Sequence, residues 1–304
     1  PSLSQRGGVC AIGQGAGVRK QFSLTVADLA EKDERVVVIL VDISVFLFND
    51  FKNKFPKRFF NLGICENAII SVAAGLSSQG FIPFVHTIAP FFVDRSYEHI
   101  KLDACYNQFP INIVTCGGSF DYAWDGPTHH CYGDLATLRL LPGMQVTQPG
   151  SPQEIDLLIR SQYDSGKSNY FRLSDKPHAL NTPIEFGKAV VLQDKMAGVT
   201  VMTAGPLVDN VQEACKDLNV NIVYFSTIKP IDKLVVDRFK KTKILVVHDA
   251  FGLYEAIGET PHLDLTYHGL PADVFLSSYG TVPEIRKLIG LDPAGIRSAV
   301  KNVL

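Results

Sequence analysis

The feature that most constrains this chain is a series of short Val/Ile-rich runs separated by segments of helical spacing. Val36, Val37, Val38, Ile39, Leu40 and Val41 follow one another without a polar break, and residues 81–87, 111–116 and 169–173 are further compact runs. A strand with one wet face alternates apolar and polar residues, whereas a strand covered on both faces does not. Between the runs, residues 18–31, 67–79, 92–107 and 152–162 carry apolar positions three and four apart, the spacing of amphipathic helices. This alternation predicts an α/β fold with a parallel sheet between helical layers. A polar, proline-bearing stretch at 174–183 then interrupts the pattern. A second α/β unit follows, with strands expected at 199–202, 221–225 and 243–248, a helix at 208–218 and a helix start at 254–259. The expectation is two parallel-sheet-based α/β domains, residues 1–178 and 186–304, joined by a linker at 179–185.

Composition narrows the partners. A formal charge of -2 with no basic tail or stripe argues against nucleic acid or an anionic membrane as a general ligand. The longest apolar stretch, 68–93, is broken by Ser, Gln, Gly, Pro and His, so it reads as a helix followed by a buried strand and not as a membrane span. The six cysteines lack CxxC or metal-ligand spacing, which suits a reducing compartment. Pro1 to Arg6 has no apolar core of the kind a secretory leader carries. A cytoplasmic location is the corresponding expectation.

Three stretches carry candidate chemistry. In the first, Gly63-Ile64-Cys65-Glu66-Asn67 places a carboxylate in the opening turn of an apolar helix. Glu66 there is either a helix-end anion favoured by the dipole or a buried acid that exchanges a proton with a ligand. In the second, Cys116-Gly117-Gly118-Ser119 leads to Asp125-Gly126-Pro127-Thr128-His129-His130. This loop follows a strand, where ligands of open parallel sheets gather. In the third, Phe91, Phe92, Arg95 and Tyr97 fall together; such rings either pack a core or hold a flat heteroaromatic ligand. No metal site is expected from these residues.

In this order, the three stretches resemble the C-terminal two-thirds of transketolase-like thiamine diphosphate enzymes, over nearly the whole chain. Thr227-Ile228-Lys229-Pro230-Ile231-Asp232 and Val247-His248-Asp249 are similar to segments of the same family's C-terminal domain. The resemblance implies a pyrimidine-binding domain followed by a transketolase C-terminal domain. It implies that Glu66 contacts N1′ of the cofactor's aminopyrimidine and that Phe92, with Phe91, Tyr97 and Ile64, forms the ring's binding surface. It further implies His129 as a catalytic and substrate-binding histidine, Asp125 and His130 as sugar contacts, and Arg172 as a phosphate contact. Cys65 and Asn67 stand where the family usually has Ala and Gln.

The family's diphosphate-binding Gly-Asp-Gly segment has no counterpart, because Gly133-Asp134 continues into Leu135. The resemblance therefore implies half of an active site, with the Mg²⁺ ligands on a separate α subunit and the β chain also self-associating. The implied activity is transfer of a two-carbon ketol unit between sugar phosphates. The alternatives are a 1-deoxyxylulose-5-phosphate-synthase-like or 2-oxo acid dehydrogenase E1 β-like activity, or a non-catalytic regulatory homologue.

Overall fold

The computed structural model describes residues 17–304; Cys10 and the leader region at Pro1 to Arg6 lie outside them. The first unit runs α1 (Val18–Lys32), β1 (Val36–Leu40), α2 (Asn49–Lys54), β2 (Phe59–Asn61), α3 (Glu66–Ser78), β3 (Ile82–Ile88) and α4 (Ala89–His99). It continues with β4 (Asn112–Cys116), α5 (Asp134–Arg139), β5 (Met144–Thr147), α6 (Pro152–Gln162) and β6 (Ser168–Arg172). The second unit runs β7 (Ala189–Gln193), β8 (Val199–Ala204), α7 (Val208–Cys215), β9 (Asn221–Phe225), β10 (Thr227–Lys229) and α8 (Lys233–Phe239). It closes with β11 (Lys243–His248), α9 (Leu253–Gly258), β12 (Asp264–Gly269), α10 (Val282–Leu288) and α11 (Pro293–Val303).

Two largely parallel sheets result. The larger has the order β10-β5-β6-β4-β3-β1-β2, and the smaller β12-β11-β8-β9-β7. Among the described residues, only the strand pairs β10–β5 and β7–β9 are antiparallel. Every residue of β1, β4, β6, β8 and β9 is buried, as the unbroken apolar runs predict. Helix starts follow local chemistry: Ser151 accepts from the Glu154 amide at 3.3 Å ahead of α6, and Asp292 accepts from the Gly295 amide at 3.1 Å ahead of α11. The helix expected at 92–107 begins earlier, at Ala89, because Pro90 fits a first turn; it continues into a wider-turned π segment, Ile100–Tyr106.

The two sheets draw on successive parts of the sequence with one exception. Strand β10 belongs to the second unit in sequence yet joins the first unit's sheet beside β5. This is the Thr227–Asp232 motif, and its side chains are fasteners. Lys229 Nζ donates to the Arg139 and Leu141 carbonyls at 2.7 and 2.6 Å, closing the end of α5. Asp232 caps α8 through the Leu234 amide at 3.2 Å and accepts from the Ala189 amide at 3.0 Å.

A second seam joins the two units through side chains. His248 Nε2 lies 2.8 Å from Gln148 Oε1. Ser119 Oγ donates to Asp249 at 2.7 Å, and Arg286 holds the other Asp249 oxygen at 2.9 Å. Burial would raise the Asp249 carboxyl, but Arg286, His248 and Arg172 outweigh it and hold the group down at about 2.

His86 on β3 is fully buried, with Nδ1 2.8 Å from the Val114 carbonyl and Nε2 3.0 Å from Ser44 Oγ. Burial pushes its imidazole down to about 4, so the unfolded chain takes up a proton near 6.5 that the folded chain refuses. Folded stability contributed by His86 is thus intact above about pH 6.5 and is lost towards pH 4, by on the order of 3 kcal/mol. Asp121, which burial raises to about 7, titrates in the same interval with opposite sign. The informative measurement is therefore a difference. The unfolding free energy of wild type minus that of His86→Asn should shrink by that amount between pH 7 and pH 4, whereas a constant difference would rule the effect out.

Candidate active site

Glu66 is positioned by the turn between β2 and α3. Gly63 takes a φ of 74°, a left-handed conformation that a side chain would oppose, and turns the chain into the helix. The Leu62 amide donates to the Leu40 carbonyl at 3.1 Å, and Asn61 Nδ2 donates to Asp42 at 2.9 Å. These bonds hold the turn against the carboxyl end of β1, where parallel sheets bind ligands. Glu66 is then the first residue of α3 and is 5% exposed. Its carboxylate does not close the helix end. Among the described residues its polar partner is Arg95, whose Nη1 donates to Oε1 at 3.1 Å.

Arg95 comes from α4, one helical turn beyond Phe91. Its guanidinium carbon stands 4.5 Å from the centre of the Phe91 ring. The other neighbour of that ring is His129, edge-to-face at 4.9 Å. His129 Nδ1 lies 3.0 Å from Thr128 Oγ1 in the loop after β4. That loop bends at Gly126, φ 72°, where a Cβ would run into the Tyr279 ring. Glu66, Arg95, Phe91 and His129 thus form one continuous line of contacts, supplied by α3, α4 and the post-β4 loop. Asp125 sits exposed on the same loop next to Trp124, which is 60% exposed, and Ile64, two residues before Glu66, is 76% exposed.

Other expected site residues lie elsewhere. Phe92 is completely enclosed in the core, because adjacent helical residues diverge by about 100°. The neighbouring ring of Phe91 is half-buried. Tyr97 packs half-buried against the same core. His130 turns away, its ring edge-to-face with Phe120 at 5.2 Å and Nδ1 3.2 Å from the Leu276 carbonyl.

Arg172, expected as a phosphate contact, is 2% exposed and is engaged by this chain's own groups. Its Nε lies 3.0 Å from Asp134, and Nη2 donates to Ser119 Oγ at 2.9 Å and to the Cys131 carbonyl at 2.5 Å. The cavity beside it holds about 10 Å³, room for a water and not a phosphate. Asp134 is likewise committed, accepting from the Tyr170 hydroxyl at 2.5 Å. Among the described residues, no group of three or more His, Cys, Asp or Glu side chains is arranged to hold a metal ion. No helix among them is long and apolar enough to cross a membrane.

Sequence reading did not foresee Arg95 as the partner of Glu66. The available signal was the four-residue spacing from Phe91, which places a cation over an aromatic ring on one helix face.

The family model described as transketolase, pyrimidine binding domain, matches residues 14–177. The chain belongs to the transketolase family. This transketolase-family chain is 31% identical to the B subunit of the apulose-4-phosphate transketolase of Phocaeicola vulgatus, over 91% of itself and 94% of that protein. It is 30% identical to the 1-deoxy-D-xylulose-5-phosphate synthase of Oleidesulfovibrio alaskensis, over 93% of itself but 48% of that longer protein. Among solved structures, it superposes on a split gene transketolase described as an inactive β4 tetramer with a TM-score of 0.84. That pair shares 27% identity over 95% of this chain and 99% of the other. The Campylobacter jejuni transketolase shares the fold at a TM-score of 0.79 and 19% identity, over 94% of this chain and 46% of that one.

Proposed function

We propose that this chain is the β-type, C-terminal subunit of a split transketolase that uses thiamine diphosphate to move a two-carbon ketol unit between sugar phosphates. The observation that carries the reading is Glu66, a buried carboxylate that shares Arg95 with the half-buried ring of Phe91. It stands in a chain that matches 94% of the B subunit of a two-part transketolase. A carboxyl group that can share a proton with a ring nitrogen, next to an aromatic face that can support a flat ring, fits an aminopyrimidine. When bound, the cofactor supplies the carbanion chemistry.

The protein's part is then positional and protonic. Glu66 holds a proton at the pyrimidine nitrogen, Phe91 supports the ring, and His129 and Asp125 present polar groups to the sugar. Arg172 and His130 have structural duties and leave this list. A separate α subunit supplies the diphosphate grip and the Mg²⁺ ligands. The exposed Ile64 and Trp124, adjoining Glu66 and Asp125, support the docking of another chain over the site.

The test is reconstitution with a diphosphate-domain subunit. The pair should bind thiamine diphosphate with Mg²⁺ and transfer ketol units, while this chain alone does neither. Tight binding of both by the isolated chain would overturn the split-site reading. Formation of 1-deoxyxylulose 5-phosphate in place of ketol transfer would move the chain to the synthase-like alternative.

A further inference from the structure

The line of contacts around Glu66 contains a group that no part of the proposed chemistry requires. A single guanidinium, that of Arg95, touches both features expected to grip an aminopyrimidine. It takes Glu66 Oε1 at 3.1 Å and covers the face of Phe91 at 4.5 Å from the ring centre. A guanidinium is planar and carries only donors. It is therefore a steric and hydrogen-bonding substitute for one edge and one face of a flat amino-substituted ring. While Arg95 remains in place it occupies the approach to Oε1 and covers that face of Phe91, where a flat ring would have to lie.

The two halves of the ion pair differ in their surroundings. The Glu66 side chain is 6% exposed and that of Arg95 54% exposed. A buried carboxylate without a partner is costly, so the empty subunit gains from having Arg95 close the contact. An arginine that is half in water loses little on swinging out, because exposed ion pairs and exposed cation–ring contacts are each weak.

We infer that Arg95 is a resident occupant of the aminopyrimidine seat, satisfying Glu66 and shielding Phe91 until the cofactor displaces it. The inference rests on the cofactor assignment above and adds a competitor built into the same chain. Its signature is a sign. A residue that helps hold the cofactor weakens binding when removed, whereas a competitor tightens it. Because the closed population divides the apparent affinity, Arg95→Ala should tighten thiamine diphosphate binding to the reconstituted pair by about three- to ten-fold.

The experiment is titration calorimetry of thiamine diphosphate with Mg²⁺ and no sugar substrate, on wild type, Arg95→Ala and Arg95→Lys pairs. Lys keeps the charge but not the planar cover, and it should fall between the other two. A second readout needs no cofactor. In the ¹⁵N-labelled free β chain, Glu66→Gln should shift the Arg95 Nε resonance. Equal or weaker binding by Arg95→Ala would overturn the inference, as would an Arg95 resonance indifferent to Glu66. Absence of binding by wild type and variants alike would instead sink the cofactor assignment, which separates the two failures.

Discussion

Glu66→Gln in the assembled enzyme is expected to lower turnover by roughly 10²- to 10⁴-fold, the usual worth of a positioned proton-transfer group. The amide has nearly the shape of the carboxyl group and can still accept from Arg95, so α3 and its turn should stand unchanged. What it cannot do is hand a proton to a ring nitrogen or take one back. Thiamine diphosphate binding should accordingly survive while the rate falls. Steady-state turnover and calorimetric binding on the same preparation give both numbers. A variant that turns over at the wild-type rate would remove Glu66 from the mechanism.

The second large effect concerns stability. Asp134→Ala leaves the guanidinium of Arg172 buried without its carboxylate and takes the acceptor from Tyr170. Breaking a buried ion pair from one side costs roughly 3–5 kcal/mol, because the surviving charge stays out of water. Urea unfolding of the isolated chain should show this as a lower midpoint. Replacing both partners, as in Asp134→Leu with Arg172→Met, should recover much of the loss, since no charge then remains stranded. If Arg172 instead bound a substrate phosphate, its single variants would raise KM for phosphorylated sugars and leave the unfolding midpoint in place.

The contrast between Phe91 and Phe92 shows what the sequence could and could not convey. Periodicity located helix α4 to within a turn, and the buried runs located β1, β3, β4, β6, β8, β9 and β11. It did not say which of two adjacent rings faces inward, because that depends on the angle at which α4 meets α3. Arg172 illustrates the same limit for charge. At the end of a strand an arginine suits either a phosphate or a buried partner, and the partner, Asp134, lies 38 positions away on another element. Strands β5, β7, β10 and β12 escaped notice; the last three are sheet edges with weaker apolar patterning, and β5 is only four residues long. The place of Glu66 at the start of a helix was legible because it is local, set by one glycine turn.

The seam between the two units bears on how a ligand can enter. In the smaller sheet the chain passes from β8 to β9 on one side and later to β11 on the other, so the carboxyl ends of β8 and β11 flank the crevice where such sheets usually receive a nucleotide. Here that crevice is filled from within: Gln148 lies against Gly205 and His248, and Ser119 reaches Asp249. The slot has become a mortise and the first unit its tenon. Parting the units there would break the Ser119–Asp249 and Gln148–His248 contacts together, so the two sheets are tied at this edge as one body.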